Sequence, residues 1–186
     1  MIRGLFADPH TSRSVCARRI AIGCVGAVFA IAQLCDSFGL RINTSPSLPV
    51  GLYVTTADPN ASLVEFCPAE PYAQLAIVRG YRSAGNCPDG SAPLLKPVVA
   101  KSGDVVDVSQ AGIVVNGKRI PNTAPVGADT RGRQLVPWPS GSYLVKPGDI
   151  WVASSFNRRS FDSRYFGPVP TIAIRDRLRP LITGGK

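Results

Sequence analysis

Residues 93–120 read P-L-L-K-P-V-V-A-K-S-G-D-V-V-D-V-S-Q-A-G-I-V-V-N-G-K-R-I. The first part, residues 94–100, is an almost continuous apolar run interrupted by Lys96 and Pro97, and predicts a buried strand. Residues 104–108 and 113–120 then alternate around S-Q-A-G and N-G turns, the pattern of paired strands in a meander. Further along, residues 142–145 and 150–153 flank K-P-G-D, another turn. Upstream, a loop leads from residue 40 into a strand at 51–55, and 64–66 reads as a second short strand. Residues 69–79 carry Tyr72, Leu75, Ala76 and Val78 on one side, followed by Gly80 as a C-cap, which predicts a short helix. The 18 Gly and 17 Pro among 186 residues suit a turn-rich β domain better than a helical bundle. No internal repeat or low-complexity tract interrupts the chain. The expected fold is mainly β, a single antiparallel domain with one short helix.

Residues 20–35, I-A-I-G-C-V-G-A-V-F-A-I-A-Q-L-C, carry no charge, with Arg13, Arg18 and Arg19 before them and Asp36 after. With Ala17 and Ser37 the run reaches the roughly 17–25 residues that cross a bilayer. The arginines assign its N-terminal side to the cytoplasm. This predicts a cytoplasmic tail at 1–18, a transmembrane anchor at 19–37 and an exported domain at 38–186. A cleavable leader fits less well, because Leu34 occupies a position that signal cleavage reserves for a small residue. A lipoprotein-like site at Cys24 leaves almost no apolar stretch ahead of it, and a buried core helix is the remaining reading. The net charge of +9 is scattered, without a helix-turn-helix, zinc or RNA-binding signature. Nucleic acid is therefore not an expected partner, and proximity to anionic lipid head groups accounts for the charge.

His10 is the only histidine and lies ahead of the apolar run, which leaves no imidazole for a Ser-His-Asp triad, a Cys-His dyad or a histidine metal site. Hydrolytic chemistry then needs another base. Lys96 stands in a run that should be buried, and burial lowers a lysine pKa until a neutral amine is available. The plainer alternative is an edge-strand lysine with its head in water. A candidate hydroxyl is Ser47, in N-T-S-P-S-L-P-V-G-L-Y (43–53), where two prolines and a glycine constrain the backbone; read alone, the segment is equally a turn. A third segment, S-F-D-S-R-Y-F-G-P-V-P (160–170), offers Asp162 and Arg164 as a structural ion pair, or Asp162 and Ser160 as groups positioning the lysine. Cys16, Cys24 and Cys35 belong to the anchor or its edges. Cys67 and Cys87 remain as an even pair in an oxidising compartment, either disulfide-bonded or two buried thiols.

Together these segments resemble type I signal peptidases: S-x-P at Ser47, a lysine eight residues before the Asp of Gly103–Asp104, and S-x-D-S-R-Y-F-G-x-V-P. N-T-S-x-S-x-P-x-G-L-Y and F-C-P resemble more closely the compact conjugative-transfer peptidases of that family. The resemblance implies Ser47 as nucleophile and Lys96 as general base, with Asp162 as an acidic residue needed for activity. It implies that Ser160 orients the lysine, that Ser45 joins the Ser47 N–H in an oxyanion hole, and that Arg164 pairs with Asp162. It further implies a signal-peptidase-like fold and a bacterial inner-membrane enzyme, single-pass, with a periplasmic catalytic domain and no cofactor or metal. The implied substrate is a pilin precursor, processed and cyclised, with conjugation or type IV secretion components as further partners. Ser47 lies ten residues beyond Ser37, so at about 3.5 Å per residue it stays within roughly 35 Å of the bilayer. The departures are Leu48 in place of a methionine, Arg158 and Arg159 in place of other polar residues, and only residues 105–161 between Asp104 and Asp162, too few for a large second domain. They bear on the substrate more than on the reaction. The competing functions are a general type I signal peptidase for exported proteins and a non-catalytic scaffold of a type IV secretion channel.

Overall fold

Short strands separated by Gly- and Pro-bearing turns build two antiparallel sheets. The computed structural model describes residues 38–184. The tail and anchor expected within 1–37 lie outside the described residues; among those described, no helix is long and apolar enough to cross a membrane. The strands are β1 (Leu40–Asn43), β2 (Gly51–Thr55), β3 (Leu63–Phe66), β4 (Leu94–Lys101), β5 (Val105–Ser109), β6 (Gly112–Val115), β7 (Lys118–Arg119), β8 (Gly141–Leu144), β9 (Asp149–Val152), β10 (Val169–Pro170) and β11 (Ile174–Thr183). The helices are α1 (Tyr72–Val78) and α2 (Ser163–Phe166). One sheet runs β1-β2-β11-β3-β4-β9-β10 and the other β7-β6-β5-β8.

The smaller sheet is the expected meander. Along β5 exposed and buried side chains alternate, and Val106 and Val108 point inward beside Ile113 and Val115 of β6. Asn116 (φ 50°) and Gly117 (φ 77°) make the two-residue turn from β6 to β7, where both central positions need positive φ. Trp151 of β9 packs into the same cluster and so joins it to the larger sheet.

β4 occupies the interior of the larger sheet, between β3 and β9. The edge-strand alternative for Lys96 is thereby removed. Pro97 has no N–H to give the ladder, but its carbonyl accepts from the Ala153 N–H, and the register shifts between Val98 and Ala100. Val64, Phe66, Leu94, Ile150 and Val152 form a core with Ala76 of α1 and with Phe161, Tyr165 and Phe166 around α2. Each Val, Leu, Ile or Phe among these contributes about 1.5–3 kcal/mol on full burial.

Three features depart from the expectation. The described residues form two short α-helices, not one: the Asp162 carboxylate accepts from the Arg164 N–H and caps α2, an element too short to leave an apolar period. On α1, Ala73 and Ala76 are buried whereas Val78 is 70% exposed, so the apolar face turns toward Ala73. Finally, β11 carries R-D-R-L-R-P-L, a charged sequence without strand alternation. It pairs with β2 and β3, and a register shift at Pro180–Ile182 accommodates the proline.

Cys67 and Cys87 are joined by a disulfide across 20 residues of sequence that include α1. In the chain-entropy view such a closure stabilises by about 3 kcal/mol. The double substitution Cys67→Ser/Cys87→Ser should therefore lower the unfolding free energy by about 3 kcal/mol in urea titration, with no further loss on adding reductant.

Candidate active site

The loop between β1 and β2 is held from both ends before any chemistry enters. Leu48 is buried with Tyr53, Leu63 and Leu178, so its side chain pins the loop to the sheet. The Asn43 side chain accepts from the Ser45 N–H (3.1 Å) and its amide donates to the carbonyls of Ser45 (3.0 Å), Leu48 (3.3 Å) and Pro49 (3.1 Å). The Tyr53 hydroxyl donates to the same Pro49 carbonyl at 2.7 Å. Gly51 lets the chain pass close to β11, since a Cβ there would stand 2.2 Å from the Ile182 carbonyl oxygen. These constraints present Ser47 at a fixed place beside β4.

Lys96 faces it. Its Nζ donates to Ser47 Oγ at 2.7 Å and to Ser160 Oγ at 3.1 Å. Lys96 is 4% exposed and Ser47 7%. Burial pushes the Lys96 ammonium from its ordinary value of 10.5 down to about 8; the Asp162 carboxylate opposes this and the Arg164 guanidinium adds to it. The amine can thus exist unprotonated near neutral pH while touching a serine hydroxyl.

Behind the lysine, Asp162 and Arg164 form a fully buried pair. Arg164 Nε and Nη2 donate to the two Asp162 oxygens at 2.7 and 3.0 Å, the two-pronged geometry that suits a guanidinium and a carboxylate. The other donors reach the carbonyls of Asn122, Arg158 and Ser154, so all five guanidinium N–H groups are used. Asp162 also accepts from the Ser154 N–H at 3.0 Å. It makes no hydrogen bond to Lys96 and influences it through its charge. Ser45 lies next to Ser47 as expected, but here the Ser47 N–H donates to Ser45 Oγ at 3.2 Å.

The structure thus brings Ser45, Ser47, Lys96, Ser160, Asp162 and Arg164 into one network. Two participants escaped the sequence reading. Asn43 left a signal, since an Asn two residues before a Ser is the pattern of an Asx turn. Ser154 left none: a serine beyond the end of a strand is unremarkable until its burial is known. A cleft of about 640 Å³ opens beside Ser47 and Lys96, with Tyr81, Leu95, Leu135 and Phe161 among its walls. Arg159, one of the departures from the family pattern, lines it too. Among the described residues, no group of three or more His, Cys, Asp or Glu side chains is placed to hold a metal ion.

Removing one partner of a buried ion pair strands the other charge. Asp162→Ala should therefore cost about 3–5 kcal/mol of stability, read as a shift in the urea midpoint.

The signal peptidase, peptidase S26 family matches residues 14–181. The chain is 39% identical over 176 residues to a plasmid transfer protein TraF from Escherichia coli, covering 89% of this chain and 97% of that one. It is 34% identical over 168 residues to a conjugal transfer protein TraF from Agrobacterium fabrum (strain C58), covering 87% and 93%. Among solved structures it is similar to a signal peptidase I from Enterococcus faecalis V583, with a TM-score of 0.36 and 15% identity over 67% of this chain and 100% of that one. By the extent of the family match and the identity to these relatives, the chain belongs to the signal peptidase, peptidase S26 family.

Proposed function

We propose that the protein is a membrane-anchored serine endopeptidase of a conjugative transfer system, with Ser47 as nucleophile and Lys96 as general base. The observation that carries this reading is the 2.7 Å contact between Ser47 Oγ and an amine that burial holds down to about 8. Unprotonated Lys96 keeps hydrogens for Ser160 and offers its lone pair to the Ser47 hydroxyl proton. Ser47 Oγ then attacks a substrate carbonyl carbon. The oxyanion displaces the contact between the Ser47 N–H and Ser45 Oγ and takes a hydrogen bond from each group, one such donor being worth about 2.7–4 kcal/mol. The Lys96 ammonium returns its proton to the departing amine, leaving an acyl-enzyme at Ser47.

The substrate in this reading is a pilin precursor. The names of the relatives, plasmid and conjugal transfer proteins, support that setting. The acyl-enzyme is resolved by the substrate's own amino terminus, which closes a cyclic subunit. The catalytic domain works on the periplasmic side of the inner membrane, held there by the apolar run at 20–35, and meets components of the transfer channel.

Three measurements test this. The rate of acyl-enzyme formation should rise with pH to a plateau, half-maximal near the Lys96 value of about 8. The sign follows from the base being active when unprotonated, so at pH 6 the rate should be about 100-fold below the plateau. Ser47→Ala and Lys96→Met should abolish the reaction while both chains still melt cooperatively; normal processing by Lys96→Met contradicts the base assignment. Co-expression with a pilin precursor should yield a product one water lighter than the linear mature subunit. A linear pilin together with cleavage of an ordinary exported preprotein would instead indicate a general signal peptidase.

A further inference from the structure

Asp162 is joined to the nucleophile by a route that does not pass through the lysine. Ser154, which immediately follows Ala153 beyond β9, has no exposed surface. Its hydroxyl donates to the Ser47 carbonyl and accepts from the N–H groups of Phe156 and Asn157, both at 3.1 Å. One donor and two acceptor positions are all a hydroxyl has, so Ser154 is fully committed. Its backbone is equally engaged: the N–H donates to Asp162 Oδ2 at 3.0 Å, and the carbonyl accepts from Arg164 Nη2 at 3.0 Å. Ser154 is therefore clamped through its main chain to the buried ion pair and through its side chain to the residue that carries Ser47 Oγ.

We propose that Ser154 is a positioning residue that sets the Ser47 main chain, and with it the approach of Ser47 Oγ to Lys96 and to a bound carbonyl. The Asn43 side chain holds the carbonyls of Ser45, Leu48 and Pro49 on the two sides of Ser47 but not that of Ser47 itself. Ser154 supplies this missing hold. Of the groups bonded to Lys96, none is bonded to the Ser154 hydroxyl, so its loss reaches the amine only through the position of Ser47 and leaves in place the burial and the Asp162 and Arg164 charges that set its protonation. Asp162 then acts in two ways, through its charge on Lys96 and through Ser154 on the nucleophile. A displacement of about 1 Å at a reacting atom is enough to slow a step about 100-fold.

The proposal rests on Ser47 being the nucleophile, and its test separates the two claims. The full-length chain in detergent is acylated with a penem-class β-lactam, and adduct formation is followed by intact mass for wild type, Ser47→Ala, Ser154→Ala and Ser154→Cys. Wild type should take one adduct that Ser47→Ala does not; no adduct at Ser47 overturns the nucleophile reading and this proposal with it. Ser154→Ala should acylate about 10- to 100-fold more slowly at saturating probe, with the half-saturating probe concentration and the pH midpoint unchanged. Ser154→Cys, similar in size and a weaker donor, should fall between the two. Should Ser154→Ala fail to melt cooperatively, the cysteine variant carries the test alone: a rate reduced at least threefold supports the proposal and a wild-type rate overturns it. A slow Ser154→Ala whose pH midpoint has moved also overturns it, because the change would then lie at Lys96.

Discussion

An amine enclosed in the interior of a sheet is the constraint from which the rest of the site follows. A charged ammonium loses most of its hydration there, so the unprotonated form gains relative to it and the ordinary value of 10.5 falls to about 8. The surroundings make that neutral amine tolerable. Two hydroxyls, Ser47 and Ser160, lie within hydrogen-bond reach of Nζ, and among the described residues no carboxylate is bonded to it. A carboxylate in direct contact would have favoured the ammonium over the neutral amine. Asp162 is instead kept beyond hydrogen-bond reach of the amine and neutralised by Arg164.

That arrangement explains why so much hydrogen bonding is concentrated on groups that do not touch a substrate. A buried ion pair is weak evidence for stability, since desolvation offsets its attraction. The use of the Asp162–Arg164 pair here is geometric. Arg164 gathers the carbonyl of Asn122 and those of Ser154 and Arg158 in the loop between β9 and α2, and fixes these two stretches of chain relative to α2. Asn43 does the same at smaller scale for the loop that carries Ser47, with Leu48 as its apolar anchor. Rigid placement of Ser47 against Lys96 thus comes from polar groups that are each satisfied, in a region where an unsatisfied one would be costly.

The meander was legible because apolar residues recur on both sides of S-Q-A-G in 104–108 and 113–120, and because N-G marks a two-residue turn. β4 was legible as apolar, but its place in the sheet was not. Whether Lys96 stood at an edge or inside depended on β3 and β9 flanking it, which periodicity does not encode. β11 stayed hidden because its residues are largely charged and include Pro180; it exists through pairing with β2 and β3 rather than through its own propensity. At the site, resemblance identified six residues whose spacing carries a motif. The geometry then placed Ser47 and Ser160 against the Lys96 amine, Ser45 against the Ser47 N–H, and Asp162 and Arg164 behind. Ser154 needed the fold, since nothing local distinguishes a serine whose hydroxyl reaches a carbonyl 107 residues away in sequence.

The central claim is that burial lets Lys96 give up its proton near pH 8 rather than 10.5, and titration of that one amine tests it most directly. With lysine labelled at Cε by carbon-13, and Lys96 assigned by its loss in Lys96→Met, the chemical shift is followed from pH 6 to 11. The account predicts a midpoint near 8, clearly separated from the other lysines. A midpoint in the ordinary range around 10.5 would mean that the buried amine stays protonated, and would contradict it.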